Sequence, residues 1–281
     1  MNFKRIIIFF YKILSSTYIF VFGRKNMQFI NNIFLSLTLN AKGYKNYGDF
    51  NKTGEKKFIK NISNELFFCI DIGANVGKYT ELLLKETDAN IVSFEPLKEA
   101  FQDLKKIELK NIDRLKVFNY AIGEKNEILE LNYSNNKSEK ASFTEHLEKL
   151  SFYEFNKNKK VKTNVLTLDT FIKKNLDIFN IKEIDLIKID TEGFELEVIK
   201  GAQETIKIMS PKYIQLEFNW HQLFKNHNMY SFSGYLKEYE LFQILPFGND
   251  LIKVDPNRPE TNIYHLSNFV YIRKDISIKF S

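Results

Sequence analysis

Residues Leu66 to Gly77 read LFFCIDIGANVG, an apolar run that stops at an acidic residue and opens into a Gly-x-x-x-Gly turn. A strand buried on both faces of a parallel sheet reads as a continuous hydrophobic run. A glycine turn after it lets backbone approach a ligand at the start of the next helix. That is the usual cradle for an adenosine-containing cofactor. About eighteen residues beyond Gly77, a second apolar run, Ile91-Val92-Ser93-Phe94, ends in Glu95-Pro96. An acidic residue at that distance, at the end of the second strand, is placed to accept hydrogen bonds from ribose hydroxyls. Between the runs Val76, Tyr79 and Leu83 recur at helical spacing, and after Pro96 so do Leu97, Ala100, Phe101, Leu104 and Ile107. The economical reading is strand, turn, helix, strand, helix, with Glu95 as a ribose ligand rather than an ordinary exposed carboxylate.

A chain of 281 residues holds one large domain, or one domain with an added segment. Its hydrophobic fraction of 44% excludes a largely disordered chain. The single cysteine, Cys69, lies inside the first apolar run, where a small buried hydrophobe is expected rather than a nucleophile. No disulfide can form within the chain, which fits a reducing cytoplasm. The net charge of +6 reads as scattered lysines plus one dense patch, Lys157, Lys159, Lys160 and Lys162. Such a patch is expected to be a solvated loop before it is a long-range attraction for an anionic glycan, a phosphorylated lipid carrier or a membrane surface. Aromatics and arginines do not interleave as they do in a nucleic-acid groove, so nucleic acid is not an expected partner.

Ile6 to Phe22 is strongly apolar, yet it falls short of the roughly twenty residues a membrane span needs. Lys12 and Ser15-Ser16-Thr17 interrupt it, and Lys4, Arg5, Arg24 and Lys25 flank it. No small-residue cleavage site follows. Residues 3–25 are therefore expected either to lie on an anionic membrane, at its inner face, or to pack against the domain. Phe29, Ile30, Ile33, Phe34 and Leu37 form a cleaner helical stripe, expected to pack on the core. The expected division is a helical segment over residues 1–50 and a catalytic domain over 51–281. Within the latter, Leu115 to Ala121 reads as a third strand, Ile128 to Leu131 as a short one, Ser134 to Lys160 as a polar excursion, and Val161 to Leu168 as another strand.

Ile184 to Ile189 is the next apolar run, and it terminates in Asp190-Thr191-Glu192-Gly193-Phe194-Glu195 before a helix marked by Val198, Ile199, Ala202 and Ile206. Ligands of open parallel sheets bind beyond the carboxyl ends of the strands, where this acidic turn would meet the glycine turn. Three carboxylates so close together must be solvated, hydrogen-bonded or used. Asp190, at the strand end, is the strongest candidate for use. Glu195 reads as a first-turn carboxylate favoured by the helix dipole, and Glu192 stands between the two readings. The run Tyr213 to Phe218, with Glu217 near its end, leads into Asn219-Trp220-His221. His221 is read either as a general base near neutral pH or as a loop histidine beside a packing tryptophan. The remaining histidines show no metal-ligand spacing. Phe242 to Leu245 and Phe269 to Ile272 supply late strands, the last antiparallel because the link from Asp255 to Ser267 cannot house a crossover helix.

Taken together, these residues resemble the FkbM family of S-adenosylmethionine-dependent methyltransferases. The matching motifs are DIGANVG from Asp71 to Gly77, FEP from Phe94 to Pro96, NYAIG from Asn119 to Gly123, TLD from Thr167 to Asp169 and KIDTEGFE from Lys188 to Glu195, over about residues 44 to 220. The resemblance implies an α/β, class I (Rossmann-like) methyltransferase: a mostly parallel seven-stranded sheet with an antiparallel last strand, behind an N-terminal helical segment. It implies S-adenosyl-L-methionine as cofactor. Asp71, Gly73, Asn75 and Gly77 would line its methionine and ribose, Glu95 would hold the ribose hydroxyls, and Asn119 and Ala121 would lie beside the adenine. Asp190 would stand near the sulfonium and the acceptor. The expected reaction is O-methylation of a hydroxyl on a sugar or glycan precursor, with Asp190, Glu192 and His221 as candidate proton acceptors and no metal. Two other readings stay open: a nicotinamide-dependent oxidoreductase, disfavoured by the lack of a GxGxxG turn, and a non-catalytic cofactor-binding scaffold of a glycan assembly complex.

Overall fold

The apolar runs become the strands of one large sheet. In the computed structural model, which describes residues 3–133, 141–143, 159–175, 183–248 and 250–277, the strands in chain order are β1 (Phe68–Ile72), β2 (Asn90–Phe94), β3 (Leu115–Phe118), β4 (Ala121–Ile122), β5 (Glu127–Tyr133), β6 (Lys159–Leu166), β7 (Leu186–Ile189), β8 (Tyr213–Phe218), β9 (Tyr239–Ile244), β10 (Leu251–Lys253) and β11 (Ser267–Arg273). Eight of them form a sheet in the order β10-β9-β11-β8-β7-β1-β2-β3. The pairs from β8 through β7, β1 and β2 to β3 are parallel, whereas β11 runs antiparallel to β8 and β9, and β10 antiparallel to β9. This is a Rossmann-like sheet, but a mixed one of eight strands rather than seven with a single antiparallel member. The extra strand, β10, is only three residues long and has one partly buried residue, too short for a periodic signal.

β1 is buried at every position and so is β7, as expected for central strands covered on both faces. On one face Phe58, Ile59 and Ile62 of the helix Glu55–Ile62 join Cys69, Ile91 and Leu186; on the other, Phe171, Leu196, Ile199 and Phe232 join Ile70, Ile187 and Ile214. The run Leu115 to Ala121 is not one strand. β3 ends at Phe118, and Ala121–Ile122 belongs to a second, three-stranded sheet, β4-β6-β5. Between them Asn119 donates through Nδ2 to the carbonyls of Glu95 (2.8 Å) and Pro96 (3.0 Å), which turns the chain across the end of β2. Most of the polar excursion Ser134 to Lys160, including Lys157 of the dense lysine patch, lies outside the described residues.

The N-terminal segment folds as two helices, α1 (Phe3–Phe22) and α2 (Gln28–Ala41). They are tied together by Tyr18, whose hydroxyl donates to Asn31 Oδ1 (2.7 Å), and by Asn31 Nδ2, which donates to the carbonyl of Phe22 (2.9 Å). The stripe Phe29, Ile33, Phe34 and Leu37 does not pack on the core, since all four are exposed. Of α2 only Leu39, in the last turn, reaches the interior, on the sheet face already covered by Phe171, Leu196, Ile199 and Phe232. The described side chains of α1 are not buried against the domain either. Beyond α2 the chain docks firmly. The Tyr44 hydroxyl donates to the carbonyl of Glu260, Asn46 N donates to the carbonyl of Leu266 (3.0 Å), and Asn46 Nδ2 donates to that of Thr53 (2.9 Å).

Candidate active site

The carboxyl ends of β1, β2, β7 and β8 surround a cavity of about 690 Å³, large enough for a nucleoside-sized ligand beside a second molecule. Its first wall is the glycine turn. Gly73 N and Ala74 N both donate to the carbonyl of Phe94 (3.0 and 2.9 Å), stitching the turn to the end of β2. Gly73 has φ +84°, and a Cβ there would lie 1.9 Å from the carbonyl oxygen of Asp190. Only glycine permits both the left-handed backbone and this approach of the two turns. Gly77, at φ +91°, lets the following helix seat against Ile107 and Leu104. It does not line the cavity, so its part is packing rather than direct contact with a ligand.

The two carboxyls of this wall are bound into the fold. Asp71 is buried and accepts from Thr80 Oγ1 (2.6 Å); burial raises its pKa to about 6 against the pull of Thr80 and the Lys188 ammonium. Glu95 accepts from the backbone N–H of Asn75 (2.8 Å) and of Leu97 (2.7 Å), and burial raises it to about 7 despite those two bonds. A carboxylate has about four acceptor sites, so both oxygens retain capacity for hydroxyl donors. Ala121 lines the cavity with Tyr120 and Ile122. Asn119 does not. It is exposed, and its amide is spent on the β2 end, which is why proximity in sequence misplaced it.

The opposite wall is the acidic turn. Asp190 lines the cavity beside Lys188, whose Nζ is buried 3.6 Å from Asp190 Oδ2, 3.4 Å from Glu55 Oε1 and 3.3 Å from Asn268 Oδ1. Burial alone would lower the pKa of Lys188. The surrounding carboxylates of Asp190, Glu55, Glu217 and Asp71 outweigh it and hold the ammonium above its ordinary range. Glu192, at φ +51°, also lines the cavity; its Oε2 lies 3.3 Å from His221 Nε2 and accepts from Asn219 Nδ2 (3.2 Å). Glu195 faces inward instead. It is fully buried and accepts from Thr191 N, Thr191 Oγ1, Gly193 N and Gln222 Nε2. It is a clasp that folds the turn, a stronger role than a helix-dipole contact.

His221 is buried, stacked on Trp220, and does not line the cavity. Burial lowers its pKa to about 4, the charges of Glu195 and Lys225 acting against one another. At neutral pH it is an uncharged imidazole backing Glu192, so the reading as a general base in direct reach of a ligand is not what the geometry places there. Among the cavity residues that carried no role in the sequence reading are Glu217 and Tyr47. Glu217 lines the cavity from β8, accepts from Asn219 Nδ2 (2.8 Å), and has its pKa raised well above the usual range by burial, then by the charges of Asp190 and Glu192. Tyr47 comes from the strap after α2, and burial together with the charges of Glu217 and Glu192 raises its phenol. The position of Glu217 at the carboxyl end of a central strand was a signal available in the sequence; Tyr47, in a loop far from any motif, gave none. Among the described residues no cluster of three or more His, Cys, Asp or Glu is arranged to hold a metal ion.

A parallel sheet with a glycine turn at β1, an acid at the end of β2 and an open cavity at the strand switch defines a Rossmann-like enzyme that takes an adenosine-bearing cofactor. The chain matches the family model described as the methyltransferase FkbM domain over residues 71–242. The protein belongs to that family, whose methyl donor is S-adenosylmethionine. A curated relative, Methyltransferase 1 of Beauveria bassiana (strain ARSEF 2860), is 22% identical over 150 residues, which are 49% of this chain and 59% of the relative. The chain thus spans little more than half the length of that relative. Among solved structures it is similar to precorrin-6y C5,15-methyltransferase from Geobacter metallireducens GS-15 (9% identity, 79% of this chain and 89% of that one, TM-score 0.41). It is also similar to the METTL16 methyltransferase domain (12% identity, 78% and 66%, TM-score 0.42). Likeness at these scores identifies no shared acceptor.

The residues present fit the donor. Asn75 Oδ1 is buried at the cavity wall with no hydrogen-bond partner in the protein. A buried orphan acceptor is expensive unless a ligand supplies the donor, and S-adenosylmethionine carries both ribose hydroxyls and an ammonium. Asn75 itself stands at φ +51°, a conformation that asparagine tolerates better than most residues.

Proposed function

We propose that the protein is an O-methyltransferase acting on a hydroxyl of a sugar or glycan precursor, on the cytoplasmic side of a membrane. The observation that carries this reading is the single cavity shared by the glycine turn, Glu95 and Asn75 on one side and by Asp190, Glu192, Glu217 and Tyr47 on the other. S-adenosylmethionine, when bound, supplies an electrophilic methyl group on a positively charged sulfur. Asn75 and Glu95 would hold the donor through its hydroxyls and ammonium. Asp190 then faces the space left for the acceptor. Transfer would break the donor's carbon–sulfur bond and form a carbon–oxygen bond, with the hydroxyl proton passing to a carboxylate, Asp190 first in this reading and Glu192 next. A wall of carboxyl groups and a phenol, with a buried lysine behind it, suits a polyhydroxylated acceptor, because carboxyl and phenol oxygens accept hydrogen bonds from hydroxyls.

The reading is tested by incubating the protein and its Asp190→Asn variant with S-adenosylmethionine and a panel of sugars, nucleotide sugars and lipid-linked saccharides. Release of S-adenosylhomocysteine and the mass of the product are followed. Turnover is expected on a hydroxyl acceptor, falling by about 10²- to 10⁴-fold in the variant if Asp190 takes the proton. Full turnover by Asp190→Asn would remove that residue from the mechanism, and methylation confined to amines would overturn the choice of oxygen.

A further inference from the structure

Counted by position, the charge of the chain is far from evenly spread. Residues 1–48 hold seven of the 41 basic residues, from Lys4 to Lys45, and none of the 35 acidic ones; the remainder of the chain holds 34 basic against 35 acidic. The net positive charge therefore belongs to the α1–α2 hairpin and the strap after it, not to lysines scattered through the domain.

The same hairpin carries an unusual apolar surface. More than half of the exposed large hydrophobic side chains among the described residues lie between Ile8 and Leu37. On α1 they include neighbours such as Phe9, Phe10 and Tyr11, and again Ile19, Phe20 and Val21. Successive helical residues project about 100° apart, so such runs cover the helix all round rather than along one stripe. A helix apolar all round belongs in a protein core or in lipid. The core is not its place, since no described side chain of α1 is buried. No helix among the described residues is long and apolar enough to cross a membrane. What is left is the plane of a bilayer surface, with aromatic and aliphatic side chains below the headgroups and lysines and arginines reaching among them.

Charge decides between this and self-association. Two copies joined through their hairpins would bring together two segments that each carry seven cations and no anion. Anionic headgroups supply the missing charge. The hairpin is also held close to the cavity. Leu39 seats the end of α2, Tyr44 is buried, and Asn46 and Tyr47 already line the cavity wall, Tyr47 being 63% exposed at its mouth. Tyr47 lies six positions beyond Ala41, with five residues between them. Even fully extended that stretch reaches only roughly 20 Å.

We propose that the α1–α2 hairpin is a docking element for an anionic lipid bilayer, lying in its interface and holding the cavity mouth beside the membrane surface. Docking does not depend on the acceptor, and the test keeps the two apart. The full-length protein is sedimented with vesicles of phosphatidylcholine alone or mixed with phosphatidylglycerol, beside a Phe9→Glu, Phe20→Glu, Phe34→Glu triple variant. All three positions are exposed, so the variant keeps the domain intact, which the rise in Tm on adding S-adenosylhomocysteine verifies. The protein is expected to bind the mixed vesicles at least tenfold more tightly than phosphatidylcholine alone, and the triple variant to lose at least tenfold while keeping its Tm shift. No binding to mixed vesicles overturns the proposal. So does equal binding by the variant, or a dimer of the wild-type protein that the variant converts to monomer with no lipid binding by either. Absence of any Tm shift with S-adenosylhomocysteine would count against the methyl-transfer reading instead, and leave the vesicle result to stand by itself.

Discussion

The glycine turn after β1 and the acidic turn after β7 are neighbours of similar make: each follows a buried parallel strand, each uses left-handed backbone, and each is rich in carboxyl groups nearby. They differ in what those carboxyls do. At the glycine turn both Asp71 and Glu95 are buried and bonded to the fold, so the wall offers backbone, the spare acceptor capacity of Glu95 and one orphaned amide oxygen. At the acidic turn the work is divided: Glu195 is consumed in shaping the loop, and Asp190 and Glu192 are left facing the cavity. One wall is built to hold a ligand of fixed shape, the other to present charge to a reacting group. Where the two meet, Gly73 lies against the carbonyl of Asp190.

That contact gives the largest expected effect. Gly73→Ala would place a methyl 1.9 Å from the Asp190 carbonyl at φ +84°, so one of the two turns must move. A loss of about 4 kcal/mol of folding stability is expected, with S-adenosylhomocysteine binding abolished, as read by urea unfolding and calorimetry. A variant as stable as the wild type would mean the turns are not in contact. Next comes the pH dependence of the glycine wall. Glu95 has its folded pKa raised from 4.5 to about 7, so it stabilises the fold fully below about pH 4.5, and this contribution is lost as pH rises through about 7. The size is about 3 kcal/mol. His221 acts in the opposite sense: its folded value of about 4 stabilises the protein above its ordinary 6.5 and is lost as pH falls toward 4. The unfolding free energy of wild type minus that of Glu95→Gln therefore isolates the carboxyl. It should decline between about pH 4.5 and 7, and a flat difference would show that Glu95 is not held protonated.

The acidic wall is broken at its clasp. Glu195→Gln keeps one acceptor oxygen but turns an amide toward Gly193 N or Gln222 Nε2, leaving buried donors unpaired. A loss of about 2 kcal/mol is expected, with turnover falling as Asp190 and Glu192 lose their placement while affinity for S-adenosylhomocysteine changes little. If donor affinity fell as far as turnover, the two walls would not be separable parts.

Much of this was legible in the sequence, for a physical reason. Central strands buried on both faces, such as β1 and β7, write themselves as unbroken apolar runs, and the turns that follow them need glycine and short polar residues at fixed places. Hence the Rossmann-like sheet and the places of Gly73, Glu95 and Asp190 at its strand ends followed from the residues, whereas Asn75 and Ala121 came only with the family resemblance. What burial decides was not legible. DTEGFE shows three acids of equal standing, and only the packing of Gln222 and Thr191 reveals that Glu195 is the clasp. Neither does a sequence show that Asn119 is spent on the β2 end, that His221 is sealed behind Glu192, or that Tyr47 arrives from the N-terminal strap. The stripe on α2 misled because helical spacing reports an apolar face without saying what covers it.

The smallest effect tests the holding wall alone. Asn75 sits at φ +51° with its backbone N–H on Glu95 and its side-chain oxygen unpaired. Asn75→Gly preserves the left-handed backbone and the bond to Glu95, and removes only the amide. If that oxygen accepts from the bound donor, one hydrogen bond is lost, worth about 1 kcal/mol, or roughly a five- to tenfold weaker affinity for S-adenosylhomocysteine. The unbound protein should change little in stability, because an orphaned buried acceptor is removed while backbone entropy of a similar small size is lost. Calorimetric titration against Tm separates the two. Unchanged affinity would mean the oxygen meets water or acceptor instead. The division between a holding wall and a reacting wall would then run on the other side of Asn75.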